Sequence, residues 1–481
     1  MGEFRNTMSI QIYNTLSRRK ETLETIEPGV VKMYVCGVTV YDTAHIGHAM
    51  SAMVFDVVRR YLEYRGYVVQ HVVNFTDVDD KIINRANALH RDPKELAESY
   101  VAEFMEDLAA LNIKHATVYP RATETMDEII KFIADLIKKD FAYEAGGDVY
   151  FRVASDANYG QLSGRKQEDM VSGTRFAVDE RKEAAADFAL WKAAKEGEPA
   201  WPSPWGNGRP GWHIECSAMN LKHLGPQIDI HGGGNDLVFP HHENEIAQSE
   251  SLTGQPFSRI WMHNGMLQIQ TREPDGSFKM EKMSKSLGNV VAIRSFLDAH
   301  EADALRLAVL SSYYRNPLPF GDMIVGDQER KLARLRSALE PAVGSDADTA
   351  AAAVLAEAAG AARARFIDQM DDDFNTAGAL AVLFELIKAI NTARDNRVGG
   401  APFSEAQAIL RELTGVLGLR MEAAAQTKSK DIAPFVEVLI ELRAELRTAK
   451  QYQLADSVRN RLSDLGITLK DSPQGTKWES K

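Results

Sequence analysis

Two cysteines in 481 residues are too few for a secreted protein held together by disulfides, and no other feature indicates secretion. The N-terminal segment MGEFRNTMSIQIYN is polar and lacks the apolar core of a signal peptide. The sequence shows no apolar run of the length needed to cross a bilayer. It therefore predicts a cytoplasmic protein without a membrane segment. The first seven residues resemble a cloning remnant, with Met8 as the natural start.

The sequence also has no excess of basic over acidic residues. The net charge of −12 argues against a protein that coats nucleic acid indiscriminately, although it leaves open specific binding through a local patch. The hydrophobic content of 44% and the charged content of 26% are ordinary for a globular protein. A chain of 481 residues exceeds what one hydrophobic core usually serves, so we expect several domains.

A strand–helix–strand unit is predicted near the N-terminus. The segment VVKMYVCGVTVYD is apolar and β-branched, HIGHAMSAMVFDVVRRYLEYRGY has helical periodicity, and VVQHVVNFT has the composition of a second strand. Such units form parallel sheets, and the loop after the first strand lies where these sheets bind ligands. His45 and His48 are thereby placed at a helix N-terminus, above the carboxyl edge of a sheet.

A second part of the same sheet is predicted further along the chain. IDIHGGGNDLVFPHHENEIAQSE indicates a strand, a glycine-rich loop and a helix, and RIWMHNGMLQI indicates one more strand. After residue 298 the pattern is helical, with DQMDDDFNTAGALAVLFELIKAIN as one helical stretch. The predicted fold class is α/β: a Rossmann-like parallel-sheet catalytic domain split by an insertion, then an α-helical bundle and a small C-terminal domain. The predicted divisions are 8–96 and 211–300 for the two halves, 97–210 for the insertion, 301–430 for the bundle and 431–481 for the last domain.

The spacing of His45 and His48 fits a metal site, acid–base chemistry or an anion held at a helix N-terminus. A metal held by these two residues alone is disfavoured, because two ligands are too few. The motif KMSKS puts Lys282 and Lys285 on a predicted loop, where they can neutralise a polyphosphate. This favours the anion and makes Gly47 a point of close approach for a nucleotide. HIGH and KMSKS, in this order on two halves of a split sheet, resemble the motifs with which class I aminoacyl-tRNA synthetases bind ATP.

Both cysteines stand in segments that neighbour other metal donors. A histidine and a glutamate four residues apart in FPHHENEIA share one face of a helix. Two thiolates, an imidazole and a carboxylate suit a tetrahedral Zn²⁺ site. His242 and Glu243 are competing ligands, of which His242 is less suited because its i+4 partner is Ile246. The candidate ligands are Cys36, Cys216, His241 and Glu245.

The stretches YVCGVTVYD, GWHIECSAMN, DIHGGGNDLVFPHHENEIAQSE and KMSKSLGN resemble the cysteinyl-tRNA synthetase family, over about Ile10 to Trp478. The resemblance implies that the four candidate ligands bind one zinc ion per chain. It also implies that Lys282 and Lys285 act with the two histidines on the phosphates of ATP. The implied cysteine pocket contains Gly37, Thr39, Trp212 and His231. The implied ATP site contains His45, Gly47, His48, Gly232, Gly233, Gly234, Asp236 and Lys285.

The implied activity is ATP-dependent ligation of L-cysteine to tRNA(Cys) through a cysteinyl-adenylate, with release of pyrophosphate and AMP. ATP is then a substrate, accompanied by Mg²⁺, and a monomer is expected. An apolar pocket separates cysteine from serine poorly, whereas zinc separates them because a thiol binds it as a soft thiolate. One alternative is the related ligase of mycothiol synthesis, which joins cysteine to the amine of an amino sugar. A third possibility is a zinc-stabilised nucleotide or RNA binder without catalysis.

The tail from Asp431 favours the tRNA ligase, because the amino-sugar ligases lack an anticodon-recognition tail. It has eight Lys/Arg and eight Asp/Glu, so it is neutral within an acidic chain. The bundle before it matches the stem-contact region of the family. A guanidinium, two carboxylates and a stacking ring suit unpaired bases. The predicted anticodon contacts are Arg447, Asp456, Asp471 and Trp478.

One departure from the family pattern is the long segment MLQIQTREPDGSFKMEKMSKS before the lysine loop. Its Pro-Asp-Gly at 274–276 predicts a hairpin turn. The hairpin either decorates the surface or alters how the lysine loop closes.

Overall fold

The computed structural model describes residues 9–165, 180–272, 277–283, 287–342, 350–421, 433–472 and 475–480. The chain divides into two compact units, one ending at Met421 and one beginning at Glu422. The strands are, in chain order, β1 (Gln11–Asn14), β2 (Arg19–Thr22), β3 (Val30–Thr39), β4 (Val68–Thr76), β5 (Ala142–Ala145), β6 (Asp148–Phe151), β7 (Phe188–Ala193), β8 (Gly208–Pro210), β9 (Ile228–Gly234), β10 (Ser258–Asn264), β11 (Leu267–Arg272), β12 (Phe278–Lys282), β13 (Leu318–Phe320), β14 (Ile467–Ser472) and β15 (Gly475–Ser480). The α-helices are α1 (Ile46–Tyr64), α2 (Asp80–Leu89), α3 (Pro93–Ala110), α4 (Met126–Lys138), α5 (Trp212–Leu224), α6 (Glu243–Thr253), α7 (Ile293–Ala299), α8 (Ala302–Leu310), α9 (Asp322–Ser337), α10 (Ala350–Asp371), α11 (Thr376–Asp395), α12 (Gly400–Val416), α13 (Ala433–Thr448) and α14 (Tyr452–Asp464).

The central sheet consists of four parallel strands in the order β10-β9-β3-β4. The predicted unit β3–α1–β4 is confirmed, and α1 ends before Gly66, whose positive φ of 91° suits glycine. Strands β3 and β4 come from the part of the chain before the insertion and β9 and β10 from the part after it, as the fold class predicts. The side chains of α1 bury Met53, Val57 and Phe55 against this sheet.

The insertion has its own antiparallel sheet, in the order β5-β6-β7-β8. Phe132 and Ile133 of α4 pack with Leu190 and Trp191 of that sheet in a separate core. The predicted boundary at residues 96/97 is misplaced, because it cuts α3, whose buried side chains pack in the core of the central sheet. Helical periodicity continues through this boundary, so the sequence offers no break there.

The helical bundle shares its core with the central sheet. Helices α8 and α12 contact α1, and one continuous hydrophobic cluster runs from β1 to Leu419. The bundle is therefore part of the larger unit, although its helical character agrees with the prediction. Helix α11 has the length and composition of a membrane span, but half of that stretch is buried within the protein. By itself such a helix is weak evidence for a membrane, because core helices pass the same test.

The segment predicted as a single helix from Asp368 is two helices, α10 and α11. Asp373 and Phe374 between them have positive φ angles of 61° and 51°. The carboxylate of Asp373 is fully buried and accepts hydrogen bonds from the backbone N–H of Tyr13 and the hydroxyl of Tyr314, both at 2.8 Å. These distant partners fix the turn, so local propensity alone did not predict it.

The predicted strand RIWMHNGMLQI is likewise two strands. β10 belongs to the central sheet, whereas β11 pairs with β12 and β13. The chain changes sheet at Gly265, where a Cβ atom would overlap the carbonyl group of Asn316. The hairpin predicted before the lysine loop is present as β11 and β12, and its predicted turn at 274–276 lies outside the described residues.

The C-terminal unit combines α13 and α14 with the hairpin β14–β15. Its core contains Val436, Leu462, Ile467 and Leu469. A helix pair followed by a short final segment is what the sequence predicts there.

A buried ion pair joins α1 to α8. The guanidinium of Arg306 lies 2.7 Å from a carboxylate oxygen of Asp56, and both side chains are fully buried. Arg306 also donates to the carbonyl oxygens of Leu111 and Asn112 at 3.0 Å, and Arg60 donates to Asp56 at 2.8 Å. This cluster ties the helix that carries the histidine motif to the bundle.

We expect Gly37→Ala to lower the free energy of unfolding by about 2–3 kcal/mol. Gly37 donates its N–H to the side chain of Asn74 at 2.8 Å, and an added Cβ would overlap the backbone oxygen of Asn74 on β4. The matched control is Gly360→Ala within α10, where no atom lies near the added Cβ. This control should raise stability by roughly 0.5–1 kcal/mol. Urea unfolding of both variants measures the difference, and equal effects would contradict the packing argument.

Candidate active site and metal centre

One cleft at the carboxyl ends of the central strands brings ten of the predicted site residues together. Its volume is about 380 Å³. It lies where parallel α/β sheets bind ligands. The predicted site residues that line it are Cys36, Gly37, Thr39, His45, Gly47, His48, Trp212, Gly234, Asp236 and Lys282.

His45 and His48 build the N-terminus of α1 themselves. The Nδ1 atom of His45 accepts the N–H of Gly47 at 3.2 Å, and the Nδ1 atom of His48 accepts the N–H of His45 at 3.3 Å. The rings stack with centroids 3.7 Å apart. Because each Nδ1 accepts a hydrogen bond, the neutral rings carry their own proton on Nε2. The spacing of three is therefore a reciprocal cap, at a helix end whose dipole favours anions.

The segment after the lysine motif is fixed to the histidine motif. The N–H of Ile46 donates to the carbonyl oxygen of Val291 at 3.0 Å, and the N–H of Ile293 donates to Ala44 at 3.1 Å. A Cβ at Gly47 would meet the methyl group of Met283 at 3.0 Å. The described part of the lysine motif, Lys282 and Met283, thus lies beside the histidine motif. Lys282, at the end of β12, is exposed, and Lys285 lies outside the described residues.

The four candidate metal ligands converge from β3, α5 and the start of α6. The sulfur atoms of Cys36 and Cys216 are 3.7 Å apart. Cys216 Sγ lies 3.5 Å from His241 Nε2, which lies 3.0 Å from Glu245 Oε1, and that oxygen lies 3.3 Å from Cys36 Sγ. Cys216, His241 and Glu245 are at most 1% exposed.

These spacings fit a tetrahedral zinc ion. Zn–S bonds of about 2.3 Å at tetrahedral angles place two sulfurs about 3.8 Å apart, and a sulfur and an imidazole nitrogen about 3.5 Å apart. The observed distances of 3.7 Å and 3.5 Å agree with these values. The donor set of two sulfurs, one nitrogen and one oxygen also has the chemistry that zinc prefers.

A second donor set shares two of these residues. His242 Nε2 lies 3.2 Å from Cys36 Sγ, and His231 Nε2 lies 2.8 Å from Glu245 Oε2, so these four side chains could also surround an ion. His242 is therefore a closer competitor than its sequence spacing indicates. Its Nδ1 atom is paired with His263 at 2.8 Å, and the set has one thiol fewer. The thiol count favours the set that contains Cys216.

Burial and close contact shift the acidities of the donors. Burial, together with neighbouring Cys216, raises the pKa of Cys36. Burial also acts to raise the pKa of Cys216, but hydrogen bonds with Cys36 and His241 outweigh it and lower the value to about 6. Burial opposes ionisation of Glu245 as well, yet His231 and His241 hold its pKa below the usual range. Cys216 and Glu245 are thus stabilised in the anionic forms that bind a divalent cation.

The predicted cysteine-pocket residues separate into two groups. Trp212 is 37% exposed and stacks on His241 with ring centroids 4.1 Å apart, so it forms a wall of the cleft beside the metal donors. Gly37 and Thr39 follow Cys36 along β3. The position of His231 differs from its predicted place in the cysteine pocket. The side chain is completely buried behind Glu245 and does not line the cleft. Its position suits orientation of the carboxylate.

The glycine run differs from its prediction as a loop. Gly232, Gly233 and Gly234 continue β9, and only the turn Asn235–Leu237 follows before the next helical segment. A Cβ at Gly232 would overlap the ring of Phe55 on α1. Close packing of α1 on the sheet therefore requires glycine at Gly232.

Sequence reasoning missed several side chains at the site. The Nδ1 atoms of His213 and His241 lie 2.8 Å apart, so His213 orients the predicted ligand. Ser51 donates to Asn264 at 2.9 Å within the cleft. The position of Ser51 three residues after His48 was an available signal, whereas nothing local marks Asn264.

The predicted anticodon residues lie in the C-terminal unit and do not form one cluster among the contacts described. Arg447 on α13 and Asp456 on α14 are exposed. Trp478 on β15 is half-buried and packs against the core of that unit. The side chain of Asp471 lies outside the description.

The fold and the paired motifs define a class of protein. A family model described as "tRNA synthetases class I (C) catalytic domain" matches residues 22–329, and one described as "DALR domain" matches residues 365–422. The solved structure of Mycobacterium tuberculosis methionyl-tRNA synthetase with methionyl-adenylate has a TM-score of 0.57 at 15% identity, over 81% of this chain and 90% of that chain. A LeuRS–tRNA–LeuAMS complex from Agrobacterium radiobacter has a TM-score of 0.57 at 11% identity, over 82% of this chain and 84% of that chain. The fold is that of the class I synthetases.

Curated relatives show which family of class I synthetases the chain belongs to. The cysteine–tRNA ligase of Dehalococcoides mccartyi is 50% identical over 98% of this chain and 100% of its own length. The cysteine–tRNA ligase of Halalkalibacterium halodurans is 48% identical, and that of Thermococcus onnurineus is 47% identical, each over 98% of this chain and 99% of the relative. The chain belongs to the cysteine–tRNA ligase family. These matches do not favour the amino-sugar ligase.

Proposed function

We propose that the protein joins L-cysteine to tRNA(Cys) in two steps that share the cleft. In the first step a carboxylate oxygen of cysteine attacks the α-phosphorus of ATP, and pyrophosphate leaves with the electron pair of the broken bond. In the second step the 2′-hydroxyl of the terminal ribose of tRNA attacks the cysteinyl carbonyl, and AMP leaves. The observation that carries the proposal is that one cleft is lined by the histidine motif and by Cys36, a member of the two-thiol donor set.

The proposed phosphate site is the N-terminus of α1 together with the lysine loop. The Nε2–H groups of His45 and His48 and the dipole of α1 stabilise negative charge on the phosphates. Lys282 and Lys285 supply positive charge to the same groups as pyrophosphate leaves. Mg²⁺ accompanies the ATP, and Asp236 with Gly234 borders the proposed adenosine end of the cleft.

The proposed cysteine site is centred on the donor set. Cys36, Cys216, His241 and Glu245 hold one zinc ion, which when bound supplies affinity for a thiolate that a serine hydroxyl does not match. Trp212 and Thr39 border the space next to these ligands and restrict the side chain that enters. The N-terminal and bundle regions would carry activation and stem contacts, and the C-terminal unit would contact the anticodon. We further propose a monomer that works in the cytoplasm.

The direct test is amino-acid-dependent exchange between pyrophosphate and ATP, screened over all amino acids. Cysteine should support exchange and serine should not. Exchange with another amino acid, or none at all, would refute the proposal. Product formation with an amino sugar in place of tRNA would instead indicate the amino-sugar ligase.

We expect a chain that ends at Met421 to keep cysteine-dependent exchange but to charge tRNA poorly. The residues that line the cleft all precede this point, and the last 60 residues form a separate compact unit. Stacking contacts to unpaired bases are worth about 1–3 kcal/mol each, so tRNA affinity should fall by at least about tenfold. Measurement of KM for tRNA in both chains tests this. Full charging by the shortened chain would contradict the assigned role of the C-terminal unit.

A further inference from the structure

The cleft extends beyond the residues assigned to ATP and cysteine, into a recess on the β4 side of α1. Apolar and aromatic side chains from α3, β4 and the connection after α3 form its walls. They are Val73, Phe104, Leu108, Ile113 and Tyr119. One polar side chain interrupts this surface: His71 of β4, which is 6% exposed.

His71 has unused hydrogen-bonding capacity. Neither ring nitrogen has a hydrogen-bond partner among the described residues. Burial, reinforced by the charge of Arg59, lowers the pKa of His71 to about 3, so the ring is neutral at physiological pH. A neutral imidazole offers one N–H donor and one nitrogen acceptor, and leaving both unpaired inside a protein costs free energy. A flat, neutral ring with its own donor and acceptor, such as a nucleobase, complements an apolar recess with this single polar group.

One lysine on this side of the cleft is placed to meet a phosphate beside such a base. Lys81, in the first turn of α2, lies with its ammonium 5.6 Å from the ring centre of Tyr41, and both side chains line the cleft. Lys114 lines it as well, but its ammonium is already paired with the carboxylate of Glu63 at 2.5 Å. Among the described residues that line the cleft, Asp236 carries the single carboxylate, and it belongs to the opposite arm.

The topology separates two arms of the cleft. His71 lies on β4, at one edge of the central sheet, whereas the cleft residue Asn264 lies on β10, at the other edge. Cys36 and the histidine motif lie between these edges. If the Asp236 arm holds the adenosine of the adenylate, the nucleotide whose hydroxyl attacks the cysteinyl carbonyl has to reach the same carbonyl from another direction. The recess provides a second place for a base in the same cleft.

Building on the proposed function, we infer that the recess around His71 receives the base of the 3′-terminal adenosine of tRNA. His71 donates to a ring nitrogen of adenine or accepts from its amino group, and the aromatic walls contact the flat base. His71 is a binding residue for the second step and has no role in formation of the adenylate.

The test measures transfer in a single turnover from preformed cysteinyl-adenylate on the full-length enzyme. The tRNA ends either in adenosine or in purine riboside, which lacks the amino group. With the wild-type protein, the change to purine riboside should weaken or slow transfer by about tenfold, as expected for loss of a buried hydrogen bond. His71→Leu should cause a similar loss with adenosine-ended tRNA and little further loss with purine riboside. His71→Gln, which keeps a donor and an acceptor, should restore part of the difference. His300→Leu, a histidine outside the cleft, is the control.

Several results would overturn the inference. Equal transfer by the wild-type protein to both tRNAs shows that the amino group of the base is not recognised, and this measurement needs no variant. If the losses in transfer caused by His71→Leu and by purine riboside multiply when the two changes are combined, the imidazole of His71 does not contact the amino group of the base. Failure of the proposed function is distinguishable, because it removes cysteine-dependent exchange from the wild-type protein before any tRNA is added.

Discussion

Cys216→Ser is expected to abolish zinc binding and, with it, cysteine-dependent exchange of pyrophosphate. The sulfur of Cys216 lies 3.7 Å from that of Cys36 and 3.5 Å from His241 Nε2, as two ligands of one ion would. A serine hydroxyl keeps its proton and is a poor zinc ligand, so metal affinity should fall by more than about a hundredfold. Metal analysis of purified protein should give about one zinc per chain for the wild type and almost none for the variant.

The matched control for this experiment is His242→Asn. His242 belongs to the second donor set, which lacks Cys216, so the two variants separate the alternatives. Zinc retained in His242→Asn and lost in Cys216→Ser supports the two-thiol set. The opposite result would move the ion to the site formed with His231. Circular dichroism of each variant checks that the fold persists.

Arg306→Leu is expected to lower the free energy of unfolding by about 3–5 kcal/mol. The change leaves the carboxylate of Asp56 buried without its fully buried partner. Burial by itself would raise the pKa of Asp56, but Arg306 and Arg60 outweigh it and lower this pKa in the wild type. The charge of Arg306 makes the largest single contribution to this lowering, so removal of Arg306 should raise the pKa of Asp56. On acidification the free energy of unfolding should therefore fall less in the variant than in the wild type. Urea unfolding at neutral and acid pH measures both effects.

The surface pair Arg365–Glu385 between α10 and α11 is the control for the buried one. Both of its side chains are more than half exposed, so water screens the attraction and Arg365→Leu should leave the unfolding midpoint nearly unchanged. A loss as small for Arg306→Leu would show that the buried pair contributes little beyond the packing of its aliphatic atoms.

Most of the site was predictable because its residues sit in dense local patterns. The i, i+4 spacing of His241 and Glu245 and the scarcity of cysteine were enough to nominate four ligands, which the fold brings within 4.8 Å of one another. The pairing of HIGH with KMSKS likewise predicted that both motifs meet at one sheet edge, where His45, His48, Lys282 and Met283 line the same cleft. Lys285 lies outside the described residues, so its role stays a prediction.

What the sequence did not predict depends on distant partners. The turn at Asp373 is set by Tyr13 and Tyr314, and the division of β10 from β11 is set by the approach of Asn316. His231 carries no local sign that it faces Glu245 and not the cleft. In each case the deciding contact joins residues that are far apart in the chain, where periodicity and propensity give no information.

The strand order of the central sheet also affects folding of this protein during its synthesis on the ribosome. β3 pairs with β9 on one side, yet roughly 190 residues separate the end of β3 from the start of β9. At a translation rate of about 5–20 residues per second, one edge of β3 stays unpaired for on the order of 10–40 s until β9 is synthesised. The strands of the insertion are completed in that interval, since β8 ends at Pro210. Nascent chains are therefore exposed to wrong pairing at β3 until β9 has emerged, and the insertion offers a competing set of edges during that time.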